Sequence, residues 1–324
     1  MHTSFLEYLN DPHTMEPLRI VATEMRGDFV FEGELVSPSN RFPIVRGIPR
    51  FAGYTDKGNY AESFGWQWNR WGRVQFESEN VGKPMEGHTL RMWERITAVA
   101  TKDLRSALVA DFGCGSGRFI EIVKMKNARV IGLDLSDAVE IARRNFAGDD
   151  KVLVCQADIL RPPIRPGTCD GAFSVGVLHH TPDPAKGFLE MANVVRPGGW
   201  IAASVYEKGG HYSLPNVNFY RSLFKRLWPL FGHYPPLLYS YITCFLVAPV
   251  ARHLPLGGML HLFFPGIILA DRRWSLLDTF DSVTPTHQSF HESYEVFQWF
   301  KKAGLSNIEP SDWGSTSFHG MKPL

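Results

Sequence analysis

Three glycines and two acids stand in a spacing that suits a nucleoside ligand. The stretch Val109-Ala110-Asp111-Phe112-Gly113-Cys114-Gly115-Ser116-Gly117-Arg118 places Gly113, Gly115 and Gly117 after an apolar run and before a helical one. Lacking Cβ atoms, such residues turn the chain tightly and let a ligand approach the backbone. Glycine loops also serve dinucleotides, but the third glycine of G-x-G-x-x-G would fall on Arg118, which counts against one. Asp134, in Gly132-Leu133-Asp134-Leu135-Ser136, closes the next apolar run. A carboxylate there can accept both ribose hydroxyls of an adenosine in the crevice beyond the strand ends. It can equally cap the helix that starts near Ser136. Asp158, in Cys155-Gln156-Ala157-Asp158-Ile159, can accept from an adenine amino group while Ile159 packs on the ring; alternatively it is a turn aspartate.

Histidine suits proton removal near neutral pH, its free pKa being about 6.5. His179 and His180 follow the apolar run ending near Val177 and are the first candidates for a general base. His287, His291, Asp278 and Asp281 are further candidates, because a segment returning to the sheet can fold over an acceptor. Each also reads as an ordinary loop residue.

The elements that must hold these groups alternate. Leu108–Phe112, Arg129–Leu133, Lys151–Gln156, Cys169–Val175 and Trp200–Val205 read as strands, with helices over 118–126, 136–146 and 184–195. Asp183 and Pro184 open the last of these as cap and first position. Alternation of this kind predicts an α/β fold with a doubly wound, mostly parallel sheet. Ahead of it, 1–52 reads as a small β-rich module with strands at 19–22, 28–31 and 34–37, and 53–106 as an aromatic-rich helical linker or cap. The core spans 107–206, an apolar helical insertion spans 207–285, and 286–324 supplies a helix from Ser293 and two extended pieces that complete the sheet.

At 324 residues, 44% hydrophobic and 21% charged, the composition is that of a globular protein. The net charge of +1 does not favour a nucleic-acid partner. Cys114, Cys155, Cys169 and Cys244 form no C-x-x-C pair, and no signal peptide is read at Met1–Asn10, so a cytoplasmic location is expected.

Asp111–Gly117, Asp134, Asp158, the run Ser174–Asp183 and Arg196-Pro197-Gly198-Gly199 fall in an order that resembles class I S-adenosylmethionine-dependent methyltransferases over about 107–206. The resemblance implies a seven-stranded Rossmann-like sheet and S-adenosyl-L-methionine as cofactor, with S-adenosyl-L-homocysteine as product. It implies that Gly113, Gly115 and Gly117 face the methionine moiety, Asp134 the ribose, and Ala157, Asp158 and Ile159 the adenine, with Asp111 and Leu135 also among the cofactor-binding residues. Val175 would line the sulfonium side. Residues 33–35 and 41–51 resemble a small zinc-ribbon module that precedes some methyltransferases, but no cysteine occurs before Cys114, so no metal is expected. The aromatic cluster from Tyr60 to Trp71 reads either as core or as a lid, because aromatic faces attract a sulfonium cation; Tyr60 and Phe64 are the expected contacts.

Between Leu227 and Ala251 there is no Asp, Glu, Lys or Arg, nor any from Leu254 to Ala270. Prolines 229, 235, 236 and 249 cut the first run, so no transmembrane span is expected. A lid over an apolar acceptor is the preferred reading of this insertion, with a membrane-surface helix and a homodimer contact as rivals. The expected function is methyl transfer to a small-molecule acceptor, hydrophobic or a secondary metabolite, with no nucleic acid. The alternatives are a non-catalytic S-adenosylmethionine-binding scaffold and an NAD-dependent oxidoreductase.

Overall fold

A computed structural model of the chain describes residues 1–52, 62–99 and 103–324. After a short turn of helix at Thr3–Tyr8, strands β1 (Arg19–Arg26), β2 (Phe29–Val36), β3 (Arg41–Val45) and β4 (Ile48–Pro49) make an antiparallel sheet in that order. Where the sequence suggested two strands broken at Gly33, β2 is continuous. A Cβ at Gly33 would lie 2.5 Å from the carbonyl oxygen of Val21, so this glycine permits close strand approach and does not end a strand.

Helices α1 (Glu62–Trp71) and α2 (His88–Thr97) lead into the core. There β5 (Leu108–Phe112), α3 (Arg118–Met125), β6 (Arg129–Asp134), α4 (Ala138–Asn145), β7 (Val152–Gln156), β8 (Cys169–Val175), α5 (Pro184–Val194) and β9 (Val195–Ser204) alternate. Helices α6 (Pro215–Phe231), α7 (Tyr234–Ile242), α8 (Ala248–His253), α9 (Leu260–Phe263) and α10 (Arg272–Val283) form the insertion. The chain ends with α11 (Ser293–Lys302), β10 (Ser306–Pro310) and β11 (Ser317–Met321). The seven strands run β10-β11-β9-β8-β5-β6-β7, with β5 to β9 mutually parallel and β10 and β11 antiparallel.

Side-chain alternation splits β5 between two cores. Leu108, Ala110 and Phe112 face the side covered by α5, α11 and the N-terminal module, whereas Val109 faces α2 and α3. The order of strands reverses between β5 and β8, and a ligand crevice opens at such a point beyond the strand ends.

The N-terminal module is joined to the rim of this sheet. Arg50 forms a bridge with Gln156 of β7, and the Phe51 amide donates to the Gln156 carbonyl at 2.8 Å. The Arg50 guanidinium, 1% exposed, donates to Gln156 Oε1 at 2.8 Å and to Glu140. Burial alone would raise the Glu140 carboxyl, but hydrogen bonds from Arg46 and Arg50 hold it below its ordinary value.

The prolines do not cut the insertion as the sequence suggested. Pro229 lies inside α6, and Pro235 and Pro236 sit in the first turn of α7, where no amide is needed. Pro249 follows a π-helical stretch at Thr243–Val247 that has already left the regular ladder. The resulting run, Tyr234–His253, is long and apolar enough by length and composition to cross a membrane, with mean hydropathy 1.3 and 39% of it buried in the protein. This removes the ground on which a span was excluded.

Replacing Arg50 by Ala leaves Glu140 and Gln156 short of a partner at a buried joint. The expected loss is about 2–3 kcal/mol of unfolding free energy, read from urea denaturation. An unchanged midpoint would mean that apolar contact alone docks the module.

Candidate active site

The crevice is built from the loop after β5. Gly113 has φ 95° and Gly115 φ 52°, both left-handed, and the amides of Gly113 and Cys114 donate to the Leu133 carbonyl at 2.8 and 2.9 Å. A Cβ at Gly113 would stand 2.4 Å from Val177, and one at Gly115 2.9 Å from the Trp68 indole nitrogen. Gly117 has a different reason to be glycine. Its Cβ would strike Phe146 at 2.5 Å, so it serves the packing of α3 and is not on the cavity wall.

Asp134 ties the two strand-end loops together. It accepts from the Gly115 amide at 2.9 Å and from the Ser136 amide and hydroxyl at 2.8 and 2.6 Å. Burial raises its carboxyl, while those three hydrogen bonds pull the other way. Asp111 is buried behind the loop, where burial and the nearby Asp134 push its carboxyl well up.

A cavity of about 250 Å³ runs from this loop toward the insertion. Of the residues expected at a cofactor, Gly113, Gly115, Asp134, Leu135, Ile159, Val175 and Phe64 line it. Asp111, Gly117, Ala157 and Asp158 do not. Ala157 is fully buried with its amide on the Asp134 carbonyl, and the Asp158 carboxylate accepts from the Leu160 amide at 2.9 Å, the turn role left open above. Tyr60 lies outside the described residues.

The two histidines separate. His180 lines the cavity, its Nδ1 is 3.0 Å from the His287 carbonyl oxygen, and its ring lies 4.8 Å from that of Phe64. With Nδ1 donating to that carbonyl, Nε2 is left as an acceptor without a partner among the described residues. Burial brings its pKa down to about 4, so the ring is neutral at physiological pH and a weak base. His179 is off the wall. Its Nδ1 accepts from the Tyr206 amide at 3.2 Å, its ring stacks on Tyr206 at 3.8 Å, and burial lowers its pKa strongly. It is a packing residue.

The far wall holds groups that pattern reading passed over or only touched. Tyr206, just beyond β9, stacks on Tyr212 at 3.8 Å with planes 10° apart. Its hydroxyl donates to Asp281 at 3.1 Å. Asp278 and Asp281 occur three residues apart on α10 and so share one face. Gln75 Nε2 donates to Asp278 at 3.1 Å, and the half-buried Arg118 donates to Gln75 in turn. Burial, then the neighbouring Asp281, lifts Asp278 to about 7, against the opposing pull of Arg118. Two acids three residues apart in the otherwise uncharged stretch Trp274–Val283 are the signal that could have marked this wall, since carboxylates among apolar neighbours are costly to keep.

A protein-family model described as "Methyltransferase domain" matches residues 110–203. The tRNA (carboxymethyluridine(34)-5-O)-methyltransferase ALKBH8 of Mus musculus is 34% identical over 125 residues, covering 37% of this chain and 18% of that protein. The tRNA U34 carboxymethyltransferase of Methylococcus capsulatus is 29% identical over 180 residues, covering 53% and 54%. The chain thus spans about half or less of these relatives' length. A solved chain from the complex of the Haloferax volcanii Trm112 methyltransferase activator with a methyltransferase aligns over 81% of this chain and 99% of its own, at 17% identity and a TM-score of 0.45. Relatives that act, by name, on tRNA overturn the expectation of a small-molecule acceptor and no nucleic acid. That expectation rested on a net charge that says nothing about one pocket. The glycine loop, the strand order and the family match converge, and the oxidoreductase alternative loses its ground: the chain is built on a class I S-adenosylmethionine-dependent methyltransferase domain, with S-adenosylmethionine as its cofactor.

Proposed function

We propose that the chain transfers the methyl group of S-adenosylmethionine to a nucleobase of a tRNA. The observation that carries this reading is the single cavity joining the glycine loop to the wall of Tyr206, Tyr212, Asp278 and Asp281. In this arrangement Gly113 and Gly115 back the methionine end, Asp134 receives the ribose hydroxyls, Leu135 and Ile159 flank the adenine, and Val175 lies on the sulfonium side. A base taken out of its stack finds an aromatic face in the tyrosine pair, and such stacking tolerates different bases. Two half-buried carboxylates on the wall oppose an acceptor that is itself an anion and favour one presenting N–H or O–H groups. The tRNA substrates of the named relatives support the nucleic-acid part of the reading.

S-Adenosylmethionine supplies an already activated methyl group, so the protein's work is alignment. An acceptor proton displaced in the transfer goes to a carboxylate on this wall. Asp278, with a pKa of about 7, is matched to that task at neutral pH, whereas His180 at about 4 is not.

Three outcomes test the proposal. Incubated with methyl-tritiated S-adenosylmethionine and bulk tRNA, the enzyme should place label in a nucleoside after digestion; unlabelled tRNA alongside a demonstrated cofactor-binding signal would discard the acceptor. Asp134→Ala should weaken cofactor binding by about 1–3 kcal/mol, roughly 5- to 150-fold, in calorimetric titration. Unaltered affinity would place the ribose elsewhere. The third concerns Asp278. Its folded pKa is raised, so this group's contribution to stability falls as pH rises from about 4 to about 7, because the unfolded chain ionises first. Asp278→Asn should therefore melt higher than the parent at about pH 8 but not at about pH 4, and should flatten the rise in rate through about pH 7. Parallel profiles in the two proteins would remove Asp278 as the proton acceptor.

A further inference from the structure

From Lys208 to Ala270 the chain contains no Asp or Glu, while Lys208, Arg221, Lys225, Arg226 and Arg252 all fall there. The same segment carries most of the large apolar side chains that the protein leaves in the open, among them Leu230 at 77% exposure, Leu246 at 63% and Phe263 at 67%. In a protein whose overall charge is nearly balanced, cations and bare hydrocarbon have been gathered into one insertion and carboxylates kept out of it.

The helices display this surface on one side. At about 100° per residue, Tyr234, Leu238 and Tyr241 fall within a narrow arc of α7. A π-helical turn holds one more residue than an α-turn, so the stretch Thr243–Val247 resets the phase and keeps Leu246 and Val250 on nearly the same side. The opposite side is buried through Pro236, Tyr239, Ser240, Thr243, Cys244 and Ala248. Tyr239 packs on Tyr220 of α6 at 4.4 Å between rings, and its hydroxyl donates to the Pro265 carbonyl. Tyr220 in turn donates to the Phe263 carbonyl, tying the exposed segment around α9 to α6. On α6, Phe219, Leu223 and Leu230 are exposed at helical spacing, with the exposed Lys225 and Arg226 between them.

We propose that this face of the insertion lies in the interfacial layer of an anionic lipid bilayer, with α6 and the α7–α8 run parallel to the membrane plane. The run Tyr234–His253 has the length of a span, yet its other side is packed on α6 and α10, and those contacts would be lost if it crossed alone. A helix that is apolar outward, anchored inward and edged by cations is the type that lies on a membrane. The absence of carboxylates selects the lipid: acids in the segment would be repelled by a negative surface, while each Lys or Arg near it is attracted. An RNA backbone would use the cations but leave the leucines and phenylalanines in water, so the apolar side chains decide for lipid. The proposal does not depend on which acceptor is methylated.

Flotation of the purified full chain tests it, using vesicles of phosphatidylcholine alone and of phosphatidylcholine with roughly one-third phosphatidylglycerol. The chain should rise with the anionic vesicles and less with the neutral ones. Leu238→Glu with Leu246→Glu should cut the bound fraction at least about tenfold while melting temperature and S-adenosylmethionine affinity stay at parental values. If the parent remains at the bottom of both gradients, or the double variant floats like the parent, the assignment is wrong. A light-scattering mass showing a dimer that the same variant dissociates, without vesicle binding, would give the face to a second copy. Retention on tRNA that Lys225→Glu abolishes and the leucine variant does not, again without flotation, would give it to RNA.

Discussion

One carboxylate, that of Asp134, holds the cofactor side of this protein in shape. It bridges the end of β6 to the loop after β5 by taking the Gly115 amide, and to the start of α4 by taking the Ser136 amide and hydroxyl. A buried acid is tolerable where several donors converge on it. Because those donors come from two successive strand ends, the same bonds set the width of the crevice between them. Every group on its floor, from Gly113 to Ile159, inherits its position from that tie. The insertion then closes the crevice from above with α10, and α1 closes it from the side, with Trp68 against Gly115 and Phe64 against His180.

The opposite wall is held by a different balance. Asp278 and Asp281 sit among aromatic rings and receive neutral donors, Gln75, Gln67 and Tyr206, in place of a direct ion pair. Desolvation raises both carboxyls, and the neutral donors offset it less than a directly paired cation would. The two acid sites therefore differ in kind. Asp134 is fixed by three donors from the two loops it joins and still faces the cavity with room for a ligand hydroxyl, whereas the pair on α10 is held only by neutral side chains. One is suited to positioning, the other to exchanging a proton.

Much of the core was legible because local rules decide it. Glycine spacing, strand-end acids and the cap at Asp183, which accepts from the Lys186 amide, depend on a few neighbouring residues. Alternation also announced the doubly wound, mostly parallel sheet, and the resemblance its seven strands. What escaped was set by distance in the chain. The Asp158 turn bond to the Leu160 amide is local, but its place off the cavity wall is set by the packing around the crevice. His179 and His180 are adjacent and chemically alike, yet one backs the wall and one lines it, a distinction made by Tyr206 and His287. Prolines misled for the same reason, since their effect depends on whether the preceding turn already lacks its regular bonds.

The joint at Arg50 and Phe51 has a consequence for the whole sheet. An outermost strand with open amides and carbonyls is a template on which further chains can add, copy upon copy. Here the chain's own leading segment takes that place on β7, with Phe51 bonded to Gln156. The β-rich module thus occupies the end of that edge, so a strand arriving from another molecule would meet Arg50 and Phe51 where it would need the groups of Gln156.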